Sequence, residues 1–277
     1  MTPTIRLFWV TFTVFAVPAF AADIVVEPNV ISTAATEVRI AFSPDGRQIL
    51  WGSIGRDAAP DQQDIWEKHQ VAGGWSVPAR VSFDTDAVEF DPAFSPDGRE
   101  VFFHSDRAGG FGGADLYVVS VDPETHRFGV PKNLGARINS KGEEWAPTPT
   151  RSGTLIFASD GWGGLGRHDL FEANLRSPEG KPHNLGAEIN GPDEDFDAAL
   201  SPDGHRIVFS SGVMSDDAAT VHLFRAEQSG GKWQPRKPFA GACSDFTIGS
   251  SMTPLEPAAF FYSAKCADGL GRMDIRK

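Results

Sequence analysis

Five acids recur along the chain at near-equal intervals: Glu37, Glu89, Glu144, Asp195 and Asp245. An apolar residue follows each one, namely Val38, Phe90, Trp145, Phe196 and Phe246. One position further on the regularity breaks, with Arg39, Asp91, Ala146, Asp197 and Thr247. An acid present in every unit has two readings. It can accept backbone N–H groups where a loop leads into a strand, since polar groups at strand ends must be satisfied. Alternatively, five such acids around one channel mouth can bind a cation or a polyhydroxylated ligand. Glu89, Glu144, Asp195 and Asp245 are therefore ligand-binding candidates, and Arg39, Asp91 and Asp197 are better ones, because a particular ligand seldom needs five identical contacts. If the chemistry is glycoside cleavage, Asp91 and Asp197 are the pair to test, since such enzymes hold two carboxyls about 5 to 9.5 Å apart.

The acidic runs from Asp84 to Asp91 and from Asp193 to Asp197 could coordinate Ca²⁺, a hard cation that takes six to eight oxygens, although neither has the spacing of a calcium-binding loop. Solvated acidic loops are the other reading, and no cofactor is assigned. The glycine-rich segments 109–113, 163–166 and 269–271 lack the helix start and Gly-Lys-Ser/Thr of a phosphate cradle. They read as turns fixed by the side chains of Asp115, Asp169 and Asp274. No Gly-x-Ser-x-Gly elbow occurs and the seven histidines show no zinc spacing, so no catalytic residue or metal ligand is assigned. His104 and His168 flank the glycine-rich loops and could assist a ligand. Cys243 and Cys266 fall in two loops that open on one face, and a disulfide between them is expected in an oxidising compartment.

What positions these residues is a phrase repeated five times, an apolar strand, a turn and a second apolar strand. The turn is Ser-Pro-Asp-Gly at 43–46, 95–98 and 201–204, and decayed around Ser152-Gly and Thr253-Pro. Proline presets φ for such a turn and glycine accepts the positive φ that closes it. Counted from Ala41, Ala93, Thr148, Ala199 and Gly249, the repeats are 52, 55, 51 and 50 residues apart, a period that marks a propeller. The second strands, such as Val101 to Phe103 and Ile207 to Phe209, are continuously apolar, as the middle of a sandwiched blade requires. Third strands start at Asp64, Asp115, Asp169, Val221 and Asp274, and fourth strands follow Pro78, Pro131, Pro182 and Pro235. The fifth repeat stops within its third strand, so the segment around Pro28, near Ile24 to Ile31, is expected to pair beside Asp274 to Lys277 and close the ring. The expected fold is all-β, a five-bladed propeller of four-stranded blades spanning 22–277.

Residues 1–21 read as a secretory signal, with Arg6, an apolar stretch from Leu7 to Val17 and the small-residue site Ala19-Phe20-Ala21. The formal charge of −12 becomes −13 without Arg6, which argues against nucleic acid and anionic membranes as partners. A soluble, periplasmic or secreted monomer without membrane insertion is expected.

The three Ser-Pro-Asp-Gly turns, together with Ser105-Asp-Arg-Ala-Gly-Gly-Phe-Gly-Gly-Ala-Asp-Leu-Tyr117 and its counterpart Ser159 to Phe171, resemble the TolB-like propeller repeats, a WD40-like class with Pro-Asp in the first turn. The resemblance covers nearly the whole chain after position 21. It implies an extracytoplasmic protein, commonly a binding component of the cell envelope. TolB itself has six blades and a preceding α/β domain, so a role in the Tol system is an analogy. The expected function is non-enzymatic recognition of an envelope protein or glycan through the channel mouth, and the rival is a glycoside-acting enzyme.

Overall fold

A computed structural model describes residues 24–277 apart from 58, 178–179, 215–219, 241–242, 244–245 and 256. The expected signal at 1–21 and the candidate Asp245 lie outside the described residues. Among the described residues the strands form five antiparallel sheets, and no helix is long and apolar enough to cross a membrane. The inner strands are Thr36–Phe42, Glu89–Phe94, Glu144–Pro149, Glu194–Leu200 and Thr247–Met252. They follow one another around a ring, with the last against the first, which makes a five-bladed β-propeller.

The turn chemistry explains the hairpins that bound one face. In blade two Ser95 Oγ donates to Asp97 Oδ1 at 2.7 Å, and the amide of Glu100 donates to Ser95 Oγ at 3.0 Å. Gly98 closes the turn at φ 71°, and Gly153 does the same at φ 83° in the decayed turn of blade three. The glycine-rich turns on the other face are fixed as expected: Asp115 Oδ2 accepts from the amide of Phe111 at 2.8 Å, and Asp169 Oδ2 from that of Leu165 at 2.7 Å.

Apolar side chains from successive blades interleave to form the core. Leu50, Val101 and Phe103 join blades one and two, and Phe102, Leu155 and Phe157 join two and three. Ile156, Phe196 and Phe209 join three and four, while Val208 and Tyr262 join four and five. Trp51, Ile40 and Phe261 join five and one. Burial of this kind stabilises by about 25 cal/mol per Å² of apolar surface, so each blade depends on both neighbours.

The ring closes through the termini. Val25 bridges Arg276 in antiparallel fashion, Val26 donates to Ile275 O at 2.9 Å, and Lys277 donates to Ile24 O at 3.0 Å. The first described residues thus lie outside Asp274–Arg276 and complete the last blade, removing two exposed sheet edges. Beside it, Cys243 and Cys266 form a disulfide with Cα atoms 5.7 Å apart.

Candidate functional site

Four of the repeat acids are buried and belong to the scaffold. Glu89 accepts from the amide of Thr85 at 2.7 Å, from Thr85 Oγ1 at 2.8 Å and from Ser105 Oγ at 2.9 Å. Glu144 repeats the arrangement with the amide of Ser140 at 2.8 Å and Ser159 Oγ at 2.7 Å. Glu37 accepts from the amide of Thr33 at 3.0 Å, and Asp195 from that of Gly191 at 2.6 Å. Each acid closes the loop four residues ahead of it, as a buried acceptor meeting buried donors must. Burial, partly offset by these bonds, raises the carboxyl pKa of Glu37, Glu144 and Asp195. Glu89, Glu144 and Asp195 line neither of the two cavities described below, in contrast to a ring of acids at the mouth.

A second layer of the same device carries no obvious mark in the repeat. Arg107 donates to Glu89 Oε1 at 2.8 Å and Arg236 to Asp195 Oδ1 at 2.7 Å, while Arg56 lies 3.7 Å from Glu37. Those arginines also bond the carbonyls of Phe83, Ile189 and Ile31, and in blade three Trp162 Nε1 donates to the corresponding carbonyl of Ile138 at 2.9 Å. The short spacings Ser53 to Arg56 and Ser105 to Arg107 were the available signal, but Arg236 comes from a different loop.

Blade five departs from its expected alignment. The strand pairs are Glu37 with Ser53, Glu89 with Ser105, Glu144 with Ser159, Asp195 with Ser211, and then Thr247 with Ala264. Thr247 therefore stands in the column of the acids, Ile248 in that of the apolar residues and Gly249 in the irregular column, two residues later than the sequence suggested.

That irregular column is a bulge in every inner strand. Arg39, Asp91, Ala146, Asp197 and Gly249 have φ of 51°, 52°, 49°, 52° and 67°, and the pairing register shifts at each. Left-handed backbone at a non-glycine residue costs about 1–3 kcal/mol and collects at functional sites. Bulges also re-aim side chains, and of this column Arg39, Asp91 and Asp197 come to line cavities.

Three of these side chains converge. Arg39 Nη1 lies 3.7 Å from Asp197 Oδ1, while Arg39 Nη2 donates to Pro147 O at 3.0 Å and Thr148 Oγ1 at 2.7 Å. Asp197 Oδ2 accepts from the amide of Gly249 at 2.6 Å. His104 Nδ1 stands 3.4 Å from Asp91 Oδ2, and Asp91 Oδ1 has no hydrogen-bond partner among the described residues. Burial and the neighbouring Asp91 carboxylate push the Asp197 carboxyl up to about 7, against the pull of Arg39 and the Gly249 amide.

The three divide between two cavities at opposite ends of the inner strands. Asp91, Asp197 and His104 face one of about 400 Å³, where the strands begin. Val38, Phe90, Trp145, Phe196 and Ile248, one from each blade, form an apolar collar around it. Trp145 stacks on His168 with ring centroids 3.8 Å apart, and burial holds the His168 pKa down. Phe90 also presses on blade one so closely that a Cβ at Gly52 would come within 2.6 Å of its ring. Arg39 instead lines the cavity on the hairpin side, of about 410 Å³.

The acidic runs proposed for Ca²⁺ disperse. Asp84 is buried near Arg80, 3.5 Å away, and is pushed up to about 8 by burial and by the charges of Asp64 and Glu89. Among the described residues no group of three or more His, Cys, Asp or Glu side chains is placed to hold a metal ion.

No protein-family model matches the chain, and no curated protein sequence does. Among solved structures it is similar to an endo-arabinase from Bacteroides thetaiotaomicron, at 13% identity over 89% of this chain and 94% of that one, with a TM-score of 0.58. A gluconolactonase from Xanthomonas campestris matches at 13% identity over 89% of this chain and 77% of that one, with a TM-score of 0.52. TolB from Acinetobacter baumannii matches at 17% identity over 88% of this chain, with a TM-score of 0.47, and the chain spans 55% of that protein. At such identities the shared property is the β-propeller fold, on which binding proteins and enzymes alike are built.

Proposed function

We propose that the chain is an extracytoplasmic, non-enzymatic propeller that binds an envelope glycan in the cavity where the inner strands begin. The observation that carries this reading is the pairing of Asp91 and His104 with an apolar collar containing Trp145 and Phe90. A pocket with apolar walls and a few convergent polar groups is the usual form of a small-ligand site. Sugar C–H faces pack on aromatic rings, and carboxylates accept from sugar hydroxyls. The disulfide supports an oxidising compartment. Calorimetric titration with neutral envelope oligosaccharides tests the reading: saturable binding should weaken about tenfold or more in Asp91→Asn and in Trp145→Ala. Absence of saturable binding, or equal binding in both variants, overturns it and leaves an envelope protein as the partner to seek.

A second reading, glycoside cleavage, draws support from one feature. The Asp197 carboxyl, raised to about 7 beside Asp91, is a proton donor available at neutral pH. Turnover of glycosides that disappears in Asp197→Asn would favour this enzyme, whereas binding without release of sugar favours the first reading.

A further inference from the structure

The hairpin side of the channel has no part in that reading, yet it gathers polar atoms that make no hydrogen bond among the described residues. Arg39, 3% exposed, has Nη1 without a hydrogen bond, its nearest anion being Asp197 Oδ1 at 3.7 Å. Ser250 is fully buried, and its Oγ and that of Ser251 have no hydrogen-bond partner among the described residues. All three residues line the 410 Å³ cavity. A buried donor left unsatisfied is destabilising, and more so when it is charged, so three gathered in one cavity are a strong demand for an acceptor.

We propose that this hairpin-side cavity is a second binding site, for a small carboxylate whose oxygens accept from Arg39 Nη1, Ser250 Oγ and Ser251 Oγ. A guanidinium N–H and two hydroxyls are donors, and a carboxylate offers about four lone-pair sites in a compact, planar group. The cavity has room for a molecule the size of a sugar acid or an amino acid. Its own carboxylates do not occupy the donors: Asp203 is exposed and bonds Ser201, and Glu172 stands 3.4 Å from His183. The anchor of the site is already fixed, since Arg39 Nη2 is held by Pro147 O and Thr148 Oγ1. That leaves Nη1, which makes no hydrogen bond and faces only Asp197 at 3.7 Å, as the arm open to a ligand.

An incoming carboxylate shares the guanidinium with Asp197. The charged and titratable groups facing Asp197 are Arg39 from blade one and Asp91 and His104 from blade two, with the Gly249 amide from blade five. Protonation of Asp197 removes the competing anion, so affinity should rise as pH falls through about 7.

Titration calorimetry of the full disulfide-bonded chain with sodium glucuronate, sodium acetate and glycine tests the site. Saturable millimolar or tighter binding of at least one is expected, several-fold stronger at pH 5.5 than at pH 8.5. Glucuronate binding while glycine does not identifies a sugar acid; the reverse identifies an amino acid; acetate binding as tightly as either identifies the bare carboxylate as sufficient. Arg39→Gln should weaken binding about tenfold or more, as loss of a charge-assisted bond requires. Because Arg39 also tethers blade three, Ser250→Ala provides the second variant, with a several-fold loss expected and the fold retained. Lack of saturable binding to all three probes, or affinity unchanged in Ser250→Ala and in a folded Arg39→Gln, overturns the proposal. The neutral-glycan titrations probe the opposite cavity, so failure at one end is distinguishable from failure at the other.

Discussion

Arg39 of blade one and Asp197 of blade four meet across the channel, Nη1 to Oδ1 at 3.7 Å, and each lines a different cavity. The pair is nearly dry, with side chains 4% and 5% exposed. Desolvation in such a place can exceed the Coulombic gain, and that balance is why the aspartate is raised although an arginine faces it. The two ends of the channel are thus joined by one titrating contact.

That contact predicts a pH dependence. An aspartate in the unfolded chain titrates near 3.9, and Asp197 in the folded chain at about 7. Between those values the folded state binds the extra proton, so stability from this group is present below about pH 4 and is lost as pH rises through 7. Asp84, raised to about 8, contributes with the same sign and persists in an Asp197 variant. Asp197→Asn should therefore gain melting temperature relative to the parent chain between pH 5 and pH 8. A constant difference across that range would mean that Arg39 holds Asp197 ionised throughout.

The scaffold acids and the channel acids should separate in stability measurements. Glu144→Ala removes the acceptor of the Ser140 amide and the Ser159 hydroxyl, and should cost about 1–3 kcal/mol in denaturant titrations. Asp91→Asn keeps the shape and tolerates left-handed backbone, so its cost should stay below that of Glu144→Ala. Asp197 cannot be grouped with Asp91 as freely replaceable, because it also holds the Gly249 amide. The reverse ranking of Glu144→Ala and Asp91→Asn would undo the assignment.

The blades were legible because Ser-Pro-Asp-Gly is a local code: the backbone each residue prefers is the backbone the hairpin needs. Ring closure was legible from a missing strand, and the pairing residues, Ile24 to Val26, are the first part of the segment expected to supply it. Blade five was misregistered since Asp245-Phe246 imitates the acid and apolar pair of the other repeats; only the pairing of Thr247 with Ala264 corrects this. Arg39, Asp91 and Asp197 stood out as the irregular column. Their division between two cavities could not be read from the sequence, because it depends on left-handed bulges that Gly249 and the aspartates accommodate but Arg39 and Ala146 do not announce.

Ring closure should be measurable as stability. Removing residues 274–277 deletes the ladder to Ile24 and Val26 and the fully buried Ile275. A loss of several kcal/mol is expected in urea unfolding, from the apolar burial and the opened edge. An unchanged midpoint would mean that the blades hold without closure.

The disulfide closes a segment with a sequence separation of 23 residues, for which the chain-entropy relation gives about 3 kcal/mol. Replacing both Cys243 and Cys266 by serine should lower the unfolding free energy by that order. Alkylation of the unreduced chain should label neither sulfur, and two labelled thiols would refute the bridge.

Blade five offers the sharpest test of the scaffold rule, because it carries neither the acid nor the serine that accompanies it elsewhere. Thr247 and Ala264, both fully buried, face each other where Glu89 faces Ser105 and Glu144 faces Ser159. Thr247→Asp places a carboxylate there with no hydroxyl opposite, and should destabilise by about 3–5 kcal/mol, as an uncompensated buried charge does. Ala264→Ser supplies the hydroxyl that donates to the acid in blades two and three at 2.9 and 2.7 Å. In the double variant it should return about 1 kcal/mol or more, while on its own it leaves a buried hydroxyl facing Thr247 and gains nothing. The coupling from the double-mutant cycle should accordingly favour the pair. Strict additivity would mean that acid and serine are independent features of the repeat, and that the loop hydrogen bonds alone explain why four blades keep the acid.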